Sequence, residues 1–90
     1  MKCDWEPEKA AANLRKHGVS FEEAATALAD DLGSTGADPD HSRDESRFVT
    51  FGVSSAGRLL VVAHTERSDC LRIISARTCT KRERRIYEEG

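Results

Sequence analysis

Aromatic residues are scarce. One Trp, one Tyr and three Phe serve a chain of 90 residues, so any core must be thin and aliphatic, the kind a partner chain often helps to stabilise. Long apolar runs are missing too. The most apolar stretch, Leu59 to Ala63, falls far short of the roughly 18 residues of a membrane span, which excludes a spanning helix. The start, MKCDWEPEK, has no signal-peptide core, and a cytoplasmic location is the expectation. The three cysteines, Cys3, Cys70 and Cys79, form no CxxC pair and are odd in number, which speaks for reduced thiols rather than a disulfide framework or a zinc site. His17, His41 and His64 have no metal-ligand spacing. DPDHSRD alternates Asp38, Asp40 and Asp44 in the manner of a calcium loop, but it has no glycine, and Val49 stands where the closing carboxylate belongs. Neither a metal nor a cofactor is expected.

The chain is not short of charge, and the charge is unevenly placed. Fourteen Lys and Arg against sixteen Asp and Glu give a net charge of -2. Residues 1–46 hold 5 basic and 11 acidic groups (-6), and residues 47–90 hold 9 and 5 (+4). The basic half suits an anionic polymer, while the balance of the whole argues against strong unspecific nucleic-acid binding.

A short strand is predicted near Lys2 to Trp5. EPEKAAANLRKHG then reads as a helix, with Pro7 in its first turn, Glu6 and Glu8 at the positive end of its dipole, and Lys16 and His17 at the negative end. Gly18 suits the left-handed residue after it. Ser20 and Glu23 form a capping box for a second helix with Phe21, Ala24, Ala25 and Leu28 on one face. Residues 30–46 read as a loop with one short strand around Leu32 to Thr35. RFVTFGV, RLLVVAHTE and LRIISAR are strands, the first with Phe48, Thr50 and Gly52 on one face and Val49, Phe51 and Val53 on the other. Thr80 and Glu83 cap a terminal helix, TKRERRIYEE. The expectation is one α+β domain over residues 1–90, an N-terminal helical hairpin packed on a small antiparallel sheet with a C-terminal helix.

The stretch HTERSDCLRIISAR places His64, Glu66, Arg67, Arg72 and Arg77 on the central hairpin, although buried charge is costly. A turn of two residues (SD) or four (RSDC) gives one register, with Glu66 opposite Leu71, His64 opposite Ile73 and Leu60 opposite Arg77. His64, Glu66, Ser75 and Arg77 then share one face, and Arg67 and Arg72 the other. A three-residue turn changes the pairing. With the helical hairpin on one face, the other is left as a groove with a histidine, a carboxylate and guanidinium groups. These are what metal-free RNA cleavage requires: a base for the 2′-hydroxyl, an acid for the leaving oxygen, and cations for the charge on phosphorus. Plainer roles exist for the same residues. Glu66 with Arg67 or Arg72 makes a cross-strand ion pair worth roughly 0.2–1 kcal/mol, KRERR (81–85) a solvated helix face, and Lys16 and His17 simple dipole partners.

WEPEKAAANLRKHGVSFEEA, RFVTFGVSSAGRLLVVAHTER and RIISARTCTKRERRIYEE together resemble the BrnT toxins of bacterial type II toxin–antitoxin systems, from about Asp4 to Glu89. The most specific parts are Lys9, Asn13, KHGVSFEEA (16–24), HTER (64–67), and RIISAR (72–77) with Glu83 and Tyr87. The resemblance implies a RelE-like fold and a ribonuclease that inhibits translation. It also implies neutralisation by a BrnA-type antitoxin, with promoter DNA reached only through the toxin–antitoxin complex. On that reading His64, Glu66, Arg67, Arg72 and Arg77 form the catalytic set, with Glu66 or His64 as base. Lys9, Lys16, His17, Lys81 and Arg84 are the expected RNA contacts, and a homo-oligomer is left open. The alternative is a non-catalytic module that binds antitoxin or RNA. A direct DNA-binding role fits poorly, since the helix over residues 20–29 carries Glu22 and Glu23 and no Lys or Arg.

Overall fold

The computed structural model describes residues 2–38, 47–67 and 69–89. The chain runs β1 (Lys2–Asp4), α1 (Pro7–His17), α2 (Phe21–Leu28), β2 (Ser34–Ala37), β3 (Arg47–Val53), β4 (Leu59–Glu66), β5 (Cys70–Thr78) and α3 (Lys81–Glu89). The strands form one sheet in the order β1-β5-β4-β3-β2. The expected all-antiparallel sheet is corrected at one edge: β1 lies parallel to β5, Lys2 beside Cys70 and Asp4 beside Arg72. A strand that opens the chain and is followed by helices crossing the sheet can return in either direction, so hairpin logic does not govern it. The remaining pairs are antiparallel. The calcium-like DPDHSRD stretch, His41 included, lies outside the described residues apart from Asp38. No helix among the described residues is long and apolar enough to cross a membrane.

Helix ends follow their local signals. Gly18 takes φ 68° and its N–H closes on Leu14 O at 2.9 Å, the left-handed ending that a Cβ disfavours. Ser20 Oγ accepts from Glu23 N at 3.0 Å. The second half of that capping box is not made, because Arg58 claims the Glu23 carboxylate, donating from Nε at 2.9 Å while Ser54 Oγ donates at 2.7 Å. Arg58 also donates to Gly18 O, tying the α1–α2 joint to the start of β4. At α3 the box is complete: Thr80 N donates to Glu83 Oε1 at 2.9 Å and Glu83 N to Thr80 Oγ1 at 3.1 Å.

The core joins Val19, Phe21, Ala24 and Ala27 to Leu60, Val62, Ile73 and Ala76. Both N-terminal helices therefore cover one sheet face. Helix α2 comes close to β3 at Gly52, where a Cβ would run into Ala27 O. The opposite face carries α3 loosely, through a Tyr87–Phe51 ring stack at 6.2 Å and the Tyr87 hydroxyl on Leu32 O at 2.9 Å.

One irregularity decides where the charged groups go. From Glu66–Leu71 to His64–Ile73 the hairpin keeps the expected register, and then a bulge shifts it, so Ala63 faces Ser75 and Val61 faces Arg77. Ile73 and Ala76, three residues apart, both enter the core; a regular strand cannot do this, and one extra residue, Ile74, allows it. The edge of β5 beyond β1 is closed by a side chain. Asn13 Nδ2 donates to Ala76 O at 2.8 Å and to Val19 O at 3.0 Å, and Ala76 N donates to Asn13 Oδ1 at 3.1 Å. The carboxamide takes the place of a neighbouring strand's peptide group.

Candidate active site

Helix α2 is only eight residues long, about 12 Å at 1.5 Å per residue. It covers the sheet as far as His64 and leaves the hairpin end open. There a cleft of about 400 Å³ is lined by Leu28 of α2, Thr35 and Thr50 of β2 and β3, and His64, Glu66, Arg67, Asp69, Cys70 and Leu71 of the hairpin. Three of the five catalytic candidates meet in it: His64, Glu66 and Arg67.

The face expected to carry them is corrected. His64 is on the helix-covered side, 1% exposed, at the inner end of the cleft rather than on an open groove. Burial pushes its imidazole below the usual pKa of 6.5, against the opposing pull of the Glu66 carboxylate, so the ring is neutral at physiological pH. Its Nε2 lies 2.7 Å from Thr50 Oγ1, and that hydroxyl lies 2.7 Å from Thr35 Oγ1. Phe48 stacks beside the ring at 6.1 Å. Glu66 and Arg67 are exposed.

The other two arginines are placed elsewhere and are already engaged. The bulge turns Arg77 to the α3 side, where Nη1 and Nη2 grip Glu83 Oε1 and Oε2 at 2.6 and 2.8 Å. This fork holds the Glu83 carboxyl at a pKa of about 2. Arg72 reaches back over β1, with Nε 3.2 Å from Asp4 Oδ1 and Nη1 3.6 Å from Glu6 Oε1. The expectation that Arg77 shares a face with His64 rested on a regular register, and the bulge at Ala63/His64 is the reason it does not.

The expected RNA contacts fall into two other grooves. Lys9, Lys16 and His17 line one of about 300 Å³ between α1 and β5, with Ala12, Asn13, Ile74 and Ser75. Lys81 and Arg84 line another along α3, of about 330 Å³, with Arg85, Glu88 and Glu89. A larger hollow of about 520 Å³, between Leu32, Ser34, Phe51, Ile86, Tyr87 and Glu88, contains none of the candidate residues. Among the described residues no three His, Cys, Asp or Glu side chains gather closely enough to hold a metal ion. Burial pushes the Cys3 and Cys79 thiols up, as suits unreactive packing residues.

Thr50 and Thr35 were not picked out from the sequence. A signal existed for Thr50, a hydroxyl on the same strand face as Phe48 and Gly52 that would need a partner once buried. None existed for Thr35, whose place depends on how a short edge strand pairs.

The cleft lies within a stretch that is shared with other proteins. The model of a family described as the ribonuclease toxin, BrnT, of type II toxin–antitoxin systems matches residues 5–83. The chain belongs to the BrnT family. It is therefore a ribonuclease toxin of the type II toxin–antitoxin kind, and an antitoxin protein is its partner. The match takes in every residue lining the cleft. The crystal structure of the Brucella abortus ribonuclease toxin BrnT superposes with a TM-score of 0.70 at 21% identity, covering 90% of this chain and 99% of that one. At that identity the likeness speaks for the α+β fold. No curated protein sequence matches.

Proposed function

We propose that this BrnT-family protein is a metal-independent endoribonuclease, RelE-like in fold, that inhibits translation in the bacterial cytoplasm until a BrnA-type antitoxin neutralises it. The observation that carries this reading is the single cleft shared by a carboxylate, a guanidinium and an imidazole, supplied by Glu66, Arg67 and His64. Cleavage moves the proton of an RNA 2′-hydroxyl to a base as that oxygen attacks the adjacent phosphorus. The bond to the 5′-oxygen then breaks and that oxygen takes a proton from water while the base gives its own back to solvent, leaving a 2′,3′-cyclic phosphate and a 5′-hydroxyl. Glu66 is the exposed group able to meet the 2′-hydroxyl, Arg67 faces the charge developing on phosphorus, and His64 supports them from the inner end of the cleft. Arg72 and Arg77 hold the frame, being already committed to carboxylates. The groove with Lys9, Lys16 and His17 and the one with Lys81 and Arg84 take the flanking phosphates. Promoter DNA is reached only through the antitoxin complex.

The test is cleavage of RNA by the purified protein in excess chelator. Glu66→Gln and Arg67→Ala each lower turnover by about 10²–10³-fold, the usual range for removing a proton-transfer group or a charge-stabilising donor. Cleavage that stops with chelator removes the metal-free mechanism. Variants that still arrest growth at full strength while folded favour the non-catalytic binding module.

A further inference from the structure

From the row of side chains Thr35, Thr50 and His64, we infer that the two hydroxyls form a relay that orients the imidazole and connects it to solvent at the sheet edge. The inference rests on the reading of His64 as part of the active cleft. Thr50 Oγ1 is within 2.7 Å of both Thr35 Oγ1 and His64 Nε2. Thr50 is buried, 4% exposed, and Thr35 stands exposed on the edge strand β2. The row thus begins at a sealed ring and ends in water.

A hydroxyl carries one proton, so the donors must all point the same way along such a row. With the row pointing outward, Nε2–H donates to Thr50, Thr50 to Thr35, and Thr35 to water. With the row pointing inward, water donates to Thr35, Thr35 to Thr50, and Thr50 to Nε2. Passing from the first to the second moves one proton off Nε2 and releases one to water at Thr35 while Nδ1 takes one up, so the ring stays neutral and both hydroxyls are intact before and after. A ring that is 1% exposed can in this way hand a proton from Nδ1 to solvent, or the reverse, without the cleft opening. Thr50 has a second effect. It occupies Nε2, and Nδ1 is buried with no hydrogen-bond partner. The bond made by one ring nitrogen sets the role of the other, so Nδ1 is the nitrogen left for the substrate side. The charged and titratable groups around the ring are Glu66 on its own strand and Arg67, Asp69 and Cys70 in the hairpin. Helix α2 brings Leu28, β2 brings Thr35, and β3 brings Thr50 and the stacked Phe48, none of them charged.

Thr50 and Thr35 are positioning residues, and isosteric changes test them. Thr50→Val removes the hydroxyl and keeps the shape, and a thermal melt checks that the fold survives. In steady-state cleavage of RNA we expect turnover to fall about 10–100-fold with KM within about twofold, part of the 10²–10⁴-fold effect of a proton-transfer group. Thr50→Ser restores it. Thr35→Val keeps the ring in place but slows turnover several-fold and shifts the pH–rate profile. In ¹⁵N spectra of the imidazole, Thr50→Val changes the tautomer balance and Thr50→Ser does not. Wild-type turnover, pH profile and ring spectra in both valine variants, with His64→Gln inactive, overturn the relay and leave the reading of His64 standing. Wild-type turnover in His64→Gln overturns that reading, and the catalytic relay with it.

Discussion

Replacing Asn13 with alanine strips β5 of the carboxamide that closes its edge beyond β1. Three hydrogen bonds go at once, and Ala76 N–H, Ala76 C=O and Val19 C=O lose their partner. A buried backbone group left unpaired costs about 1–3 kcal/mol. Asn13 borders the groove lined by Lys9 and Lys16, so water can reach part of the gap, and the lower end, about 1 kcal/mol for each group, is the better figure. Alanine regains roughly 0.5 kcal/mol through its higher helix propensity. The net loss is then about 2.5 kcal/mol. For a domain of this size, at roughly 4–8 °C per kcal/mol, Tm falls by about 10–20 °C. Asn13→Asp is worse at neutral pH, since a carboxylate donates to neither carbonyl and sets its charge against both. Acidification should narrow the gap as that carboxylate takes up a proton. Far-UV circular dichroism melts of the three proteins at pH 7 and pH 4 make the comparison. A fall of less than about 4 °C for Asn13→Ala, or an aspartate variant as stable as the alanine one at pH 7, would refute the strand-mimic argument.

The packing of α2 and the charge on Glu83 yield two more expectations. Gly52→Ala drives a methyl group into Ala27 O, with Ala27 C at 3.1 Å; backbone cannot yield as a side-chain tip can, so destabilisation should reach the upper part of the roughly 1–3 kcal/mol range for overpacking, read as a shift of the urea midpoint. Glu83 has its pKa lowered from 4.5 to about 2 by the Arg77 fork and the Thr80 cap. Its contribution is therefore whole above the unfolded pKa and is lost as pH falls from about 4.5 towards 2. Arg77 is 41% exposed, and solvent screening reduces the expected effect to about 1 kcal/mol. Glu83→Gln should flatten the stability profile over that window, and an unchanged slope would assign the acid sensitivity to other groups.

Local signals in this chain are reliable where one residue decides. Gly18 ends α1, Ser20 opens α2, the Thr80–Glu83 box opens α3, and the alternation in RFVTFGV places Phe48, Thr50 and Gly52 on one face as read from the sequence. They fail where the outcome depends on competition between distant parts. The Ser20–Glu23 box is half made because Arg58, 35 residues on, outbids the backbone N–H for the carboxylate. The hairpin register is right near the turn and wrong beyond Ala63, because a bulge carries no local marker in HTERSDCLRIISAR. What drives it is packing. Without the extra residue at Ile74, Ala76 would turn away from the core and Arg77 would turn into it, beneath the helices, where burying a charge is costly.

That single added residue sorts the charges on this hairpin. Arg77 goes to Glu83 on the α3 side, where its pairing secures the last helix. His64 stays under the helical layer and is partnered by threonines instead of cations. Glu66 and Arg67, past the reach of α2, remain exposed beside it. A groove on an open sheet face would have left the imidazole in water with an ordinary pKa. Here the same strand alternation that buries Leu60 and Val62 carries His64 into the protein and leaves Glu66, two residues on, outside. The short length of α2 is what turns a core strand into one end of a cleft. Extending α2 by a turn, through replacement of residues 29–32 with helix formers, should therefore close the cleft over His64 and abolish cleavage, with a thermal melt to check that the fold survives the loss of the Asp30 carboxylate's bonds to Val53 N and Leu32 N. Undiminished activity in that variant would mean that RNA is handled somewhere other than this end of the sheet.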